Sequence, residues 1–166
     1  MQRIIALCLV VMCVSVSPAA AAESAVNAPF NRVMKLMDST YQRFEKQSRR
    51  QVDSALRRID ILKRSGVSPD RITLLVLETK ISLELAAVEL REDLSDFNIA
   101  AGLVVDRHER TALLRPTLPT INFDTFRRRA DQKNDTLDAK ADRLLDSAFA
   151  RLDAALPVVE TPEEPF

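Results

Sequence analysis

Proline and glycine set the narrowest limits on what this chain can fold into. Only two glycines occur, Gly66 and Gly102. Beyond residue 22 the prolines are Pro29, Pro69, Pro116, Pro119, Pro157, Pro162 and Pro165. Three long stretches between them hold no proline and are rich in Ala, Leu, Arg, Lys, Glu and Asp. Proline removes a backbone donor and clashes with the preceding helical turn. Its absence over such lengths, among good helix formers, predicts three helices.

The first 22 residues read as a separate segment. Arg3 supplies a positive charge, Ile4 to Val14 form an apolar run, and Pro18 precedes the small residues Ala19 to Ala22. Basic, apolar, then small is the order of a secretory signal peptide, with cleavage expected after Ala22. The apolar run is about half the ~20 residues that cross a bilayer. Bulky Met12 stands before Cys13 where a lipid-attachment signal has a small residue. Residues 23–156 are then a single helical domain, and 157–166 a disordered tail rich in Pro and Glu. Both cysteines, Cys8 and Cys13, leave with the signal, so packing alone must stabilise the mature chain. Its formal charge is −1, since loss of Arg3 leaves 23 basic residues against 24 acidic ones. That balance argues against general nucleic-acid binding, which needs a basic excess. No later stretch has the length and apolarity of a transmembrane segment.

The first helix is expected over 30–64. Phe30, Met34, Met37, Tyr41, Phe44, Ser48, Gln51, Ala55, Ile59 and Leu62 alternate steps of four and three, a heptad-like stripe. Gly66 is placed to end it, and Ser68, Pro69 and Asp70 have the chemistry of a helix start. The second helix is expected over 69–101, with Gly102 as its stop. Ile72, Leu75, Val76, Leu83, Ala86, Leu90, Leu94 and Phe97 form one face. Leu74, Leu77, Ile81, Leu85 and Val88 widen it, which predicts a central helix buried on more than one side. The third is expected over 122–156, capped by Asn122 and carrying Phe123, Phe126, Ala130, Leu137, Ala141, Leu144, Ala148 and Leu152. The connector 103–121 suits either a short helix through Arg110 to Leu114 or an extended run. The expected fold is all-α: an elongated antiparallel three-helix bundle, a long hairpin with a third helix packed back.

Charge is patterned. Arg43, Arg50, Arg57 and Arg64 recur every seventh residue, and Asp131, Asp135, Asp138, Asp142 and Asp146 line one flank of the third helix. Two arrangements compete: the lines pair across the helix interface, as e and g positions do in coiled coils, or they face a partner. Glu45–Arg49, Asp53–Arg57 and Asp60–Arg64 are at i,i+4 spacing and offer local balance. Reaction chemistry is sparse. His108 is the only histidine, flanked by Asp106 and Glu109, and no cysteine survives processing, so a metal site is not expected. There is neither a G-x-S-x-G nor a glycine-rich phosphate loop.

The stretch SGVSPDRITLLVLETKISLELAAVELREDLSDFNIAAG, residues 65–102, resembles the helical repeats of TolC-like outer-membrane efflux proteins. The resemblance is carried by Gly66 and Ser68 at the turn, the acidic-aromatic pair Asp96 and Phe97, and Ala101 before Gly102. It implies a helical hairpin related to the periplasmic tunnel part of those proteins, not a channel, and transport is not carried over with it. The expected role is that of an exported, non-enzymatic envelope protein without cofactor, periplasmic rather than fully secreted, that binds a protein partner through its helices. A periplasmic chaperone or stress sensor and an accessory piece of an efflux or secretion channel are the alternatives. The heptad stripe also suits pairing with a second copy.

Overall fold

A computed structural model describes residues 18–114 and 121–157. Most of the expected signal segment and the 158–166 tail lie outside the described residues. Three helices follow one another: α1 over Pro18–Arg64, α2 over Pro69–Leu113 and α3 over Phe123–Asp153. At 1.5 Å per residue, α1 and α2 are each roughly 70 Å long. Each helix packs on the other two, which makes an elongated bundle without strands among the described residues.

The α1–α2 turn is built from backbone bonds. Gly66 has φ of +66°, the left-handed conformation that costs glycine nothing. Val67 N–H donates to Leu62 O at 3.2 Å and Gly66 N–H to Lys63 O at 3.2 Å, the paired bonds of a Schellman close. Pro69 then fills the first helical position of α2, with Asp70 in the first turn. Ser68 occupies the cap position, but its side chain makes no capping bond. At α3 the expected cap forms: Asn122 Oδ1 accepts from Thr125 N–H at 3.3 Å.

Two helix limits differ from expectation, and one cluster explains both. Val26 and Phe30 of α1, Ala101 and Val105 of α2, and Phe126 and Ala130 of α3 are buried together. The Phe30 and Phe126 rings meet edge to face, 5.1 Å between centroids. Gly102 does not stop α2, which continues eleven residues to Leu113. A glycine inside a helix costs only about 1 kcal/mol against alanine, less than the ~1.5–3 kcal/mol from burying Val105. α1 likewise runs through Pro29 instead of starting after it, because Val26, one turn earlier, is buried in the same cluster. The connector is therefore mostly helix, and only residues 114–122 separate α2 from α3.

A second, longer core cluster fills the rest of the bundle. Met37, Val52 and Ile59 of α1 meet Leu83, Leu90 and Leu94 of α2 and Leu137, Ala141 and Leu152 of α3. The expectation that α2 is buried on more than one side is not met. Leu74, Leu77, Ile81, Leu85 and Val88 are between 48 and 60 % exposed. With two neighbours instead of a surrounding ring, α2 covers one side only and leaves the other in water. Substitutions should separate the two faces. Leu83→Ala should cost about 2–5 kcal/mol in urea unfolding and Leu77→Ala less than about 1 kcal/mol.

Candidate functional site

A seven-residue repeat falls about 20° short of two full helical turns, so a line at that spacing winds slowly around its helix. The arginine line does so. Arg43 borders a groove with Glu89 and Asp93 of α2, whereas Arg64 is 78 % exposed and pairs with Asp60 at 2.6 Å. Arg57 Nε donates to the Asp53 backbone oxygen at 3.1 Å. Arg43 and Arg50 form no ion pair among the described residues. All four arginines are exposed.

The aspartate line of α3 does different work. Arg91 of α2 donates to Asp138 at 2.8 Å and to Asp142 at 2.5 Å. The Asp138 bond, ahead of the Asp142 one, holds the Arg91 proton more firmly than in a free arginine. Asp131 accepts from Asn98 at 3.0 Å. These carboxylates clamp α3 to α2, and none of them reaches the arginine line. Asp135 and Asp146 form no ion pair among the described residues. The expected Glu45–Arg49 pair forms at 2.7 Å. Asp53 instead binds Arg151 of α3 at 2.8 Å, so it is not the ion-pair partner of Arg57.

His108 sits on the extended end of α2, its Nδ1 2.7 Å from the Val104 carbonyl oxygen one turn back. Its acidic neighbours are otherwise engaged. Arg127 of α3 contacts Asp106 at 2.8 Å, Asp124 at 3.0 Å and also Glu109. Those bonds, Asp106 first and Glu109 second, raise the Arg127 pKa above the usual arginine value. Among the described residues no group of three His, Cys, Asp or Glu side chains is placed to hold a metal.

The α1–α3 groove encloses about 270 Å³, between Tyr41, Ser48 and Val52 on one side and Lys140, Arg143 and Leu144 on the other. That volume is below the roughly 300–1,000 Å³ of ordinary ligand pockets. Burial, reinforced by Glu45, pushes the Tyr41 hydroxyl above its ordinary value. The Ser48 hydroxyl at the floor is buried without a protein partner.

The most distinctive surface is one that the sequence reading assigned to the core. Leu74, Leu77, Ile81, Leu85 and Val88 advance by three, four, four and three residues. At 100° per residue they stay on the side of α2 opposite Ile72, Val76, Leu83 and Leu90. Ile99 and Leu103 prolong the line after an interruption at Glu92, Ser95 and Asp96. The signal was present in the sequence as excess apolar width. What was missing was the number of neighbours available to cover it.

No helix among the described residues is long and apolar enough to cross a membrane. No protein-family model, curated protein or solved structure matches the chain.

The Arg127 contacts join the last turns of α2 to the first turn of α3, and this generates a test. Arg127→Gln should speed amide exchange over residues 103–113 by about tenfold and leave 83–94 unchanged. Hydrogen-exchange mass spectrometry of both proteins reads this directly.

Proposed function

We propose that this protein is an exported, non-enzymatic component of the cell envelope, periplasmic rather than secreted, that works by binding another protein through its helix faces. The observation that carries the reading is the outward apolar face of α2. A continuous apolar line on a folded chain, bordered by charge, is the signature of a surface that another molecule covers. Export rests on the order of Arg3, the apolar run Ile4 to Val14 and the small residues Ala19 to Ala22. Arg43, Arg50, Arg57 and Arg64 supply a second, electrostatic contact line on α1. Their heptad spacing is unbroken, and neutral polar residues would solvate a helix equally well. Asp131, Asp138 and Asp142 support the bundle internally and are not part of the partner surface in this reading.

The same exposed face favours a second reading, a chaperone that holds unfolded clients. The two differ in what is bound. A dedicated partner is folded and discrete, whereas a chaperone suppresses the aggregation of many denatured proteins.

Crosslinking capture from the native envelope tests the proposal. The wild type is compared with Leu77→Gln/Ile81→Gln/Leu85→Gln and with a variant carrying Ser at all four arginines, once circular dichroism shows both to be helical. The α2 variant should lose a discrete crosslinked species by about tenfold or more, in line with the loss of a central apolar anchor. The arginine variant should retain it at a reduced, salt-sensitive level. Equal capture by all three proteins would refute the proposal. Suppressed aggregation of a denatured client, without a discrete species, would favour the chaperone.

A further inference from the structure

We infer that the outward face of α2 receives a helix whose apolar seam runs between lysine or arginine flanks. The inference rests on the protein-binding reading above and specifies the chemistry of the partner. Steps of three and four along Leu74, Leu77, Ile81, Leu85 and Val88 match the seam of a facing helix, which places a side chain every 3.5 residues on average. The line is about 21 Å long, four turns of a partner helix.

Charge selects the occupant. Between Leu74 and Val88 the acidic residues of α2 are Glu78 and Glu84, both exposed, and Glu89 and Glu92 follow directly. The α2 cations among them, Lys80 and Arg91, both turn to α3: Lys80 binds Asp153 at 2.6 Å, and Arg91 binds Asp138 at 2.8 Å and Asp142 at 2.5 Å. On the α3 border Glu84 faces a groove that also holds Arg91, Asp142 and Asp146, three carboxylates to one guanidinium. On the α1 border Arg58 shares a groove with Glu78, and Arg43 one with Glu89 and Asp93, and neither arginine closes an ion pair among the described residues. The apolar line is thus edged by carboxylates on the α3 side and along its continuation at Glu92 and Asp96. The matching occupant carries cations on the edge that meets α3 and the Glu92 continuation, as e and g positions do in a heterotypic coiled coil, while the α1 border mixes Glu78 and Glu89 with Arg58 and Arg43.

The same borders argue against other occupants. A second copy laid on this face adds its own Glu78, Glu84, Glu89 and Glu92 to borders that already carry an acidic excess. Among the described residues the outer face of α1, although basic, offers only Leu36 and Ile61 as exposed large apolar residues and has no seam to cover the α2 line. Anionic lipid headgroups meet the same carboxylates and are repelled.

Synthetic helices provide the test. Three peptides of equal length are used: a leucine seam with lysine flanks, the same seam with glutamate flanks, and the lysine composition scrambled to destroy the seam. Binding to the full mature protein is followed by fluorescence anisotropy. The lysine peptide should bind at least about tenfold more tightly than the glutamate peptide at low salt. That gap should nearly close at about 1 M salt, where the Debye length is ~3 Å. Ile81→Gln/Leu85→Gln should abolish binding, and Glu84→Lys/Glu89→Lys/Glu92→Lys should reverse the preference, with helicity of both variants checked by circular dichroism. Equal binding of the two seamed peptides would overturn the basic partner while leaving helix binding intact. Equal binding of the scrambled peptide would reduce the effect to bulk electrostatics and overturn the inference. A wild-type dimer in sedimentation that Ile81→Gln/Leu85→Gln dissolves would assign the face to a second copy. If no peptide binds but the native crosslink still depends on α2, this inference fails alone. If that crosslink is absent too, the protein-binding reading fails with it.

Discussion

Burial of one side of α2 between α1 and α3 is the constraint on which the rest of this structure depends. Leu83, Leu94 and Val105 are completely or almost completely buried, as are the small side chains of Ala87 and Ala101. No cysteine occurs beyond Cys13, so no disulfide within the bundle substitutes for this packing. In a folded protein most helical stability comes from packing of the buried face. With that face in place, the hairpin geometry follows. Gly66 reverses the chain within a few residues, and Asn122 starts the returning helix.

Polar contacts refine the packing without driving it. The clamps between helices, Arg91 with Asp138 and Asp142, Lys80 with Asp153 and Arg151 with Asp53, are all at least partly exposed. Exposed pairs of this kind contribute between zero and about 1 kcal/mol each. Their value lies in register. Asp138 and Asp142 are one turn apart, and a single guanidinium spans both, so a slip of α3 along α2 would break two bonds together. Arg127 does the same at the other end, where it ties Asp106 and Glu109 to the start of α3.

The bundle leaves two unlike outer surfaces. On α1 it is a winding line of arginines with few apolar neighbours. On α2 it is an apolar line with carboxylate borders. On the outside of α2 the leucines and isoleucine leave between 48 and 60 % of their surface in water, so folding of the bundle rewards them less than the buried face. Their regular spacing gives the face the form of a half-built helical interface, and the proposed function and partner chemistry both follow from it.

Much of this architecture was legible in the sequence. The all-α class, three helices, the Gly66 turn and the Asn122 cap follow from local chemistry, because proline, left-handed glycine and capping act over a few residues. The local pairs of Arg49 with Glu45 and Arg64 with Asp60 were legible for the same reason. Helix ends at Gly102 and Pro29 were not, because there a distant cluster around Val26, Val105 and Phe126 outweighs a small local penalty. The partner of the α3 aspartates was not legible either. Arginines at heptad spacing on α1 and a single Arg91 on α2 are equally plausible from periodicity, and only the packing of α3 brings Arg91 within reach. The apolar face of α2 shows the same division most clearly. By itself the sequence determined that α2 is apolar around much of its circumference. Only the tertiary structure decided that half of that surface stays in water, because two packed neighbours cover one side of a helix and cannot enclose it.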